Sequence, residues 1–136
     1  WKFVCNHYPY LSNGSHGNAG AYDGVPPLLP HANGAYVKKF FEDLVLGRAQ
    51  FMLAGHDHTL QVLKPTPATK GTIQLVSGAA GKMSGHGGGD NPAYFQRFDT
   101  LGFMLLDITS SSVGVRVYTV DPATQRAELA YQRQLA

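Results

Sequence analysis

The sequence predicts an α/β (α+β) fold, a strand–helix–strand unit followed by an antiparallel meander, and three observations predict it. Two short apolar runs flank an amphipathic helical stretch. The last third of the chain alternates apolar and polar residues, with short connectors between the runs. Glycines and prolines gather elsewhere, marking long loops rather than a repeat. The 136 residues are 43% hydrophobic and 15% charged. They make a single domain's worth of chain, spanning 1–136, that can bury a core rather than stay disordered.

Lys2 to Cys5, with Phe3 and Val4, opens the chain as a short apolar strand. Asn6 to Asn33 is irregular and broken by Pro9, Pro26, Pro27 and Pro30. A loop of that length is uncommon in a compact domain unless it does something. A helix follows from Gly34 to Leu46. Tyr36, Phe40 and Leu44 form one i, i+4 stripe and Val37, Phe41 and Val45 the stripe beside it, with Lys38, Lys39, Glu42 and Asp43 opposite. Such a helix covers something. Asn33 reads as its N-cap and Gly47 as the residue that ends it.

Gln50 to Ala54 then reads as a buried strand running into Gly55, and Leu60–Leu63 and Thr72–Ser77 as short strands around a Lys-Pro-Thr-Pro turn. A glycine-rich loop, Gly78 to Gly89, leads into an irregular stretch from Asn91 to Asp99. Leu101 to Ile108 is almost continuously apolar, as for a strand buried on both faces. Val113, Val115 and Val117 alternate with Gly114 and Arg116, and Leu129 and Tyr131 alternate with Glu128, Ala130 and Gln132.

The net charge of +2 comes with no basic run beyond Lys38-Lys39, so nothing points to nucleic acid. Cys5 stands alone, which excludes an internal disulfide, and reads as a small buried hydrophobe. No stretch approaches the ~18 apolar residues of a membrane span, and no basic-then-apolar leader is visible. The chain opens on Trp1 and runs straight into a strand, so the expectation is that a preceding segment has been removed.

The chemistry lies in the six histidines. In Gly55-His56-Asp57-His58 two of them follow directly on a strand end, where residues i and i+2 point to one side. Imidazole is the commonest transition-metal ligand, and Gly55 lets the backbone come close. In Val4-Cys5-Asn6-His7 a histidine again follows a strand at once. Sites in open α/β sheets gather beyond the carboxyl ends of the strands, so His7 and His56/His58 are predicted to meet at one edge. Asn6, Ser12 and Asn13, near His7, are candidate hydrogen-bonding groups for phosphate. His86 reads as a solvated loop residue, His31 has no evident partner, and Lys82 lacks the context of a phosphate loop.

These motifs resemble those of the purple acid and tartrate-resistant acid phosphatases, within the calcineurin-like metallophosphoesterases. Val4-Cys5-Asn6-His7 is similar to the family's V-x-x-H motif and Gly55-His56-Asp57-His58 to its G-H-x-H motif. The surrounding His7-Tyr8-Pro9-Tyr10, Ser15-His16-Gly17, Val76-Ser77-Gly78-Ala79 and Leu101-Gly102-Phe103 also resemble the small tartrate-resistant type, along essentially the whole chain. The resemblance implies half of a four-layer α/β/β/α metallophosphatase sandwich, the C-terminal portion of such a domain. It implies His7 and His56 as ligands of a divalent metal, His58 as a ligand of the first metal, and His16 as a catalytic, non-ligand histidine on the substrate phosphate. The implied cofactors are two metal ions, Fe(III) with Fe(II), Zn or Mn, and the substrate is a phosphate ester. The implied compartment is secreted, periplasmic or lysosome-like.

Two cations about 3.5–4 Å apart lower the pKa of a bound hydroxide's parent water and neutralise phosphate oxygens during in-line attack. The family's D-x-G, G-D-x-x-Y and G-N-H motifs, which supply the remaining ligands, do not occur in these residues. Asp57 falls at the non-ligand position, and Tyr8 and Tyr22 do not stand in the tyrosine-ligand motif. The expectation is therefore that the chain alone is inactive and binds metal weakly or in part, pairing with a missing N-terminal half or with itself. The rival readings are a phosphodiesterase or nucleotide-cleaving member of the superfamily, and a non-catalytic metallophosphatase-like binding module.

Overall fold

A computed structural model describes residues 1–136. Its elements are β1 (Phe3–Asn6), a single 3-10 turn at Tyr22–Gly24, α1 (Ala35–Leu44), β2 (Phe51–Ala54), β3 (Leu60–Leu63), β4 (Ile73–Ser77), β5 (Ala93–Arg97), β6 (Leu101–Ile108), β7 (Val113–Val120) and β8 (Ala127–Gln134). They form a five-stranded sheet in the order β1-β2-β4-β3-β5 and a three-stranded sheet in the order β6-β7-β8. No helix is long and apolar enough to cross a membrane.

β1 and β2 pair in parallel, Phe3 beside Phe51 through Asn6 beside Ala54, with α1 as the crossover. β2 and β4 are also parallel, while β3 runs antiparallel to β4 and β5. Alternation then sorts the first sheet's side chains between two faces. Met52 packs with Phe41, Val45 and Tyr10 on the face that α1 and the 7–33 loop cover. Phe51, Ile73, Leu60, Val62 and Leu75 turn to the other face and meet Val113, Val115 and Val117 of β7. The chain is thus three layers, with the mixed sheet in the middle.

α1 buries the Phe41 and Val45 stripe, while Tyr36, Phe40 and Leu44 stay exposed. Gly34 takes the cap position at φ 81, and the predicted cap Asn33 accepts the Ala35 N–H through its side chain at 2.9 Å. Gly47, at φ 78, follows the helix end in the left-handed region, the conformation that closes a helix most cheaply at glycine.

Four expectations change. The stretch read as irregular between Asn91 and Asp99 contains β5, an edge strand that carries Tyr94 and Phe95 and pairs with β3. β6 is not buried on both faces: Gly102 and Leu106 turn inward, while Phe103 and Leu105 are exposed because nothing in the chain covers the outer face of the meander. Between β7 and β8 a register shift pairs Val117 with Tyr131 but Tyr118 with Leu129. The shift sends Tyr131 inward to stack on Phe95 at 4.9 Å, and leaves Leu129 outside. Cys5 is exposed, because β1 is the sheet's edge and has no neighbour on one side.

Candidate metal centre

Because β1 and β2 are adjacent and parallel, their carboxyl ends deliver His7 and His56 side by side. The Gly55 N–H donates to the His7 carbonyl at 3.1 Å, which holds the two chain segments together beyond the sheet. His7 Nε2 then lies 3.2 Å from His56 Nδ1, with the rings edge to face at 5.1 Å between centroids. His56 sits at φ 58, an uncommon conformation for a residue with a Cβ and one that persists only where its surroundings hold it. Extended alternation is broken there, so His56 and His58 are not aimed together by strand geometry.

Asp57 holds the turn. It is fully buried, and its Oδ1 accepts the backbone N–H of His16 at 2.9 Å, while Oδ2 has no partner. Two glycines make room for it. A Cβ on Gly14 would stand 2.5 Å from the Asp57 carboxyl carbon, and one on Gly78 would stand 2.1 Å from the Asp57 carbonyl oxygen. The buried carboxylate therefore pins the His16 loop onto the end of β2.

His16 consequently lies over His56, with ring centroids 4.2 Å apart, and its Nδ1 is 2.5 Å from Asp23 Oδ1. Donor atoms of His16, Asp23 and His56 all fall within 4.8 Å of one another. Tyr8 stacks at 4.3 Å from His56 and Tyr22 stands at 6.2 Å, between centroids. A cavity of about 180 Å³ opens beside them, lined by Tyr8, Tyr22, Asp23, His31, Val37 and His56.

Burial, followed by the neighbouring His16 and His7, lowers the pKa of His56, which favours its neutral imidazole. Burial, then the charge of Asp57, raises that of Tyr22, and its phenol donates to the Pro9 carbonyl. A neutral imidazole is the form that ligates metal.

The donor set fits an ion. His56 Nε2 is buried without a hydrogen-bond partner. The 3.2 Å between His7 and His56 nitrogens is close to the about 3.3 Å that separates neighbouring ligands on a tetrahedral ion with bonds of about 2.0–2.1 Å. Nitrogen and carboxylate donors together suit Zn, Fe, Mn or Cu rather than Ca or Mg.

Of the residues singled out by the sequence, the structure brings His7, His16 and His56 together. His58 lies against the glycine-rich loop, its Nδ1 3.3 Å from Ser84 Oγ. Ser12 and Asn13 are buried and serve Gln61 and Asn91, holding the loop rather than facing the histidines. His86 bonds within its own loop and meets Phe98 edge on. Asp23, and the placement of Tyr8 and Tyr22 around His56, escape sequence reading, since they belong to no motif and their approach depends on Asp57.

No family model matches the chain, and no curated protein matches it. Among solved structures it is similar to GAP50 of Plasmodium, described as the anchor in the inner membrane complex, at 16% identity and a TM-score of 0.54 over 97% of this chain and 36% of that one. It is also similar to Vps29 of Entamoeba histolytica, crystallised with Zn²⁺, at 20% identity and a TM-score of 0.47 over 75% of this chain and 47% of that one. The chain thus spans about a third of the GAP50 chain and about half of the Vps29 chain. These likenesses concern the fold alone, a mixed sheet backed by an antiparallel sheet.

Proposed function

We propose that this chain contributes to a metal-dependent phosphoesterase that hydrolyses phosphomonoesters, and that the sheet edge bearing His7 and His56 is its metal-binding side. The observation that carries the reading is the pair of imidazole nitrogens 3.2 Å apart, one from each of two neighbouring parallel strand ends. His7 and His56 would hold one divalent ion and His58, on its separate loop contact, would belong to a second, Fe(III) with Fe(II), Zn or Mn being the pairing the resemblance implies. Such ions supply Lewis acidity and an activated water.

The chain's own residues do the rest. Asp57 orients the His16 loop, the φ of His56 aims its ring out of the strand, and burial favours the neutral form of that ring. His16 stands beside His56, within reach of a phosphate held at the same edge. The cavity lined by Tyr8, Tyr22 and Val37 offers an apolar wall to the leaving group.

The test is hydrolysis of p-nitrophenyl phosphate against its bis ester by the full-length protein that carries this chain. The monoester is the expected substrate, and His7→Ala and His56→Ala should each lose about a hundredfold or more, since even groups behind the ligands are worth 10- to 100-fold. Preference for the diester would make it a phosphodiesterase. Turnover unaffected by either substitution would end the reading.

A second reading has its own support. The GAP50 likeness runs along nearly the whole chain, and that protein is described as an anchor. Phe103, Leu105 and Leu129 form an open apolar face of the sort that marks contact with another protein. A binding module of metallophosphatase-like fold would keep this face and show no turnover.

A further inference from the structure

We infer that His16 and Asp23 join His56, with His7 beside them, in holding a single divalent transition-metal ion, so that this chain carries one complete metal site of its own. The inference rests on the reading of the His7–His56 edge as metal-binding and reassigns His16 from the substrate to the ion. Donor atoms from three separated points of the chain lie within 4.8 Å of one another. Neighbouring ligands on a tetrahedral ion with bonds of about 2.1 Å are about 3.4 Å apart, so side-chain rotations that shorten the longest separation by about 1.4 Å close the set.

The approach of these groups is built in. His16 is drawn to β2 by its N–H bond to the buried Asp57, and the Asp23 N–H donates to the His16 carbonyl at 3.0 Å. Asp23 itself sits at φ 56, a conformation that the loop imposes on it. A mere surface ion pair between His16 and Asp23, whose side chains are 30% and 53% exposed, would contribute little. It would also leave unexplained the buried, unpartnered Nε2 of His56.

The charge of the set decides between a cation and an anion. An anionic ligand such as free phosphate would meet the Asp23 carboxylate, 2.5 Å from His16 Nδ1. A cation finds one carboxylate and two imidazoles within 4.8 Å of one another, the mixed nitrogen and oxygen shell that zinc and its neighbours take. Asp23 thereby provides within this chain a carboxylate where the V-x-x-H and G-H-x-H motifs supply only histidines.

The experiment is titration of the 136-residue chain with Co(II) alone, followed by its visible d–d absorption and by competition with Zn(II). One equivalent should bind with the intense bands of a four-coordinate site. Asp23→Ala and His16→Ala should each weaken binding about tenfold or more, while His86→Ala, outside the cluster, leaves it unchanged. Circular dichroism melts confirm that the variants fold, which the exposure of Asp23 favours. Full affinity in Asp23→Ala and His16→Ala overturns the inference, as does absence of saturable binding or an equal loss in His86→Ala. Phosphatase turnover enters none of these measurements, so the hydrolase reading stands or falls separately.

Discussion

Gly78→Ala tests the physical core of the site, because Gly78 and Gly14 are the two faces of the clamp on Asp57. A Cβ at position 78 would lie 2.1 Å from the Asp57 carbonyl oxygen and 2.9 Å from its carbonyl carbon. Carbon and oxygen ordinarily approach to about 3.3 Å, so the end of β4 and the 55–59 turn must part by about 1.2 Å. Both obstructing atoms are backbone, and no rotamer change relieves them. The Gly78 N–H to Thr59 carbonyl bond, 3.1 Å long, is strained or lost, at about 1 kcal/mol. Overpacking adds about 1–3 kcal/mol. The expected destabilisation is about 2–4 kcal/mol, read from urea unfolding followed by far-UV circular dichroism. Gly81→Ala is the control, since a Cβ there meets nothing within 4 Å, and should stay within about 0.5 kcal/mol of the wild type. If Gly78→Ala were as stable as Gly81→Ala, the clamp would not exist as described. If it unfolded earlier yet bound Co(II) as tightly as the wild type, the clamp would be irrelevant to the histidines.

Two pH dependences follow from the same packing. The folded-state pKa of His56 lies below its ordinary 6.5, chiefly through burial, so the unfolded chain takes up a proton first as pH falls. The metal-free protein should therefore lose stability as pH drops from 6.5 through that lower value. His56→Gln should flatten this part of the stability–pH curve, and an unchanged slope would contradict the assignment. At the alkaline end Tyr10 is pushed up to about 12, first by burial and then by its hydrogen bond to Glu42. The neutral phenol is favoured in the fold, so its contribution is full below pH 10 and is lost as pH rises from 10 towards 12. Tyr10→Phe should make the alkaline loss shallower in unfolding measurements, and an equally steep loss would refute the assignment.

The fold was legible where local pattern and tertiary position agree. β3 runs over the predicted Leu60–Leu63, and Val113, Val115 and Val117 are buried as their alternation requires. Periodicity says which residues share a face, but not whether anything covers that face. That is why the apolar run of β6 looked buried on both sides, and why the periodicity of α1 did not reveal that Tyr36, Phe40 and Leu44 stay exposed. The register shift opposite Val117 and Tyr118 reverses the alternation of β8 by one residue, and nothing in Leu129-Ala130-Tyr131 announces it. β5 escaped for a related reason, as its few residues are stabilised by pairing with β3 at the sheet edge rather than by a pattern of their own.

The site divides along the same line. His7 and His56, 49 positions apart in sequence, were predictable neighbours because each follows a strand and the two strands lie side by side in parallel. Asp23 was not, because its place depends on a chain of contacts, each invisible without the next. Asp57 must be buried, Gly14 must let it in, its Oδ1 must take the His16 N–H, and only then does the loop bring Asp23 to His16. The residue at the non-ligand position of G-H-x-H is thus the one on which the rest turns. A buried carboxyl group with one oxygen still unpartnered is costly to keep. What offsets that cost is the geometry it imposes, since without it His16 and Asp23 would be two polar groups on a loop with no reason to face His56.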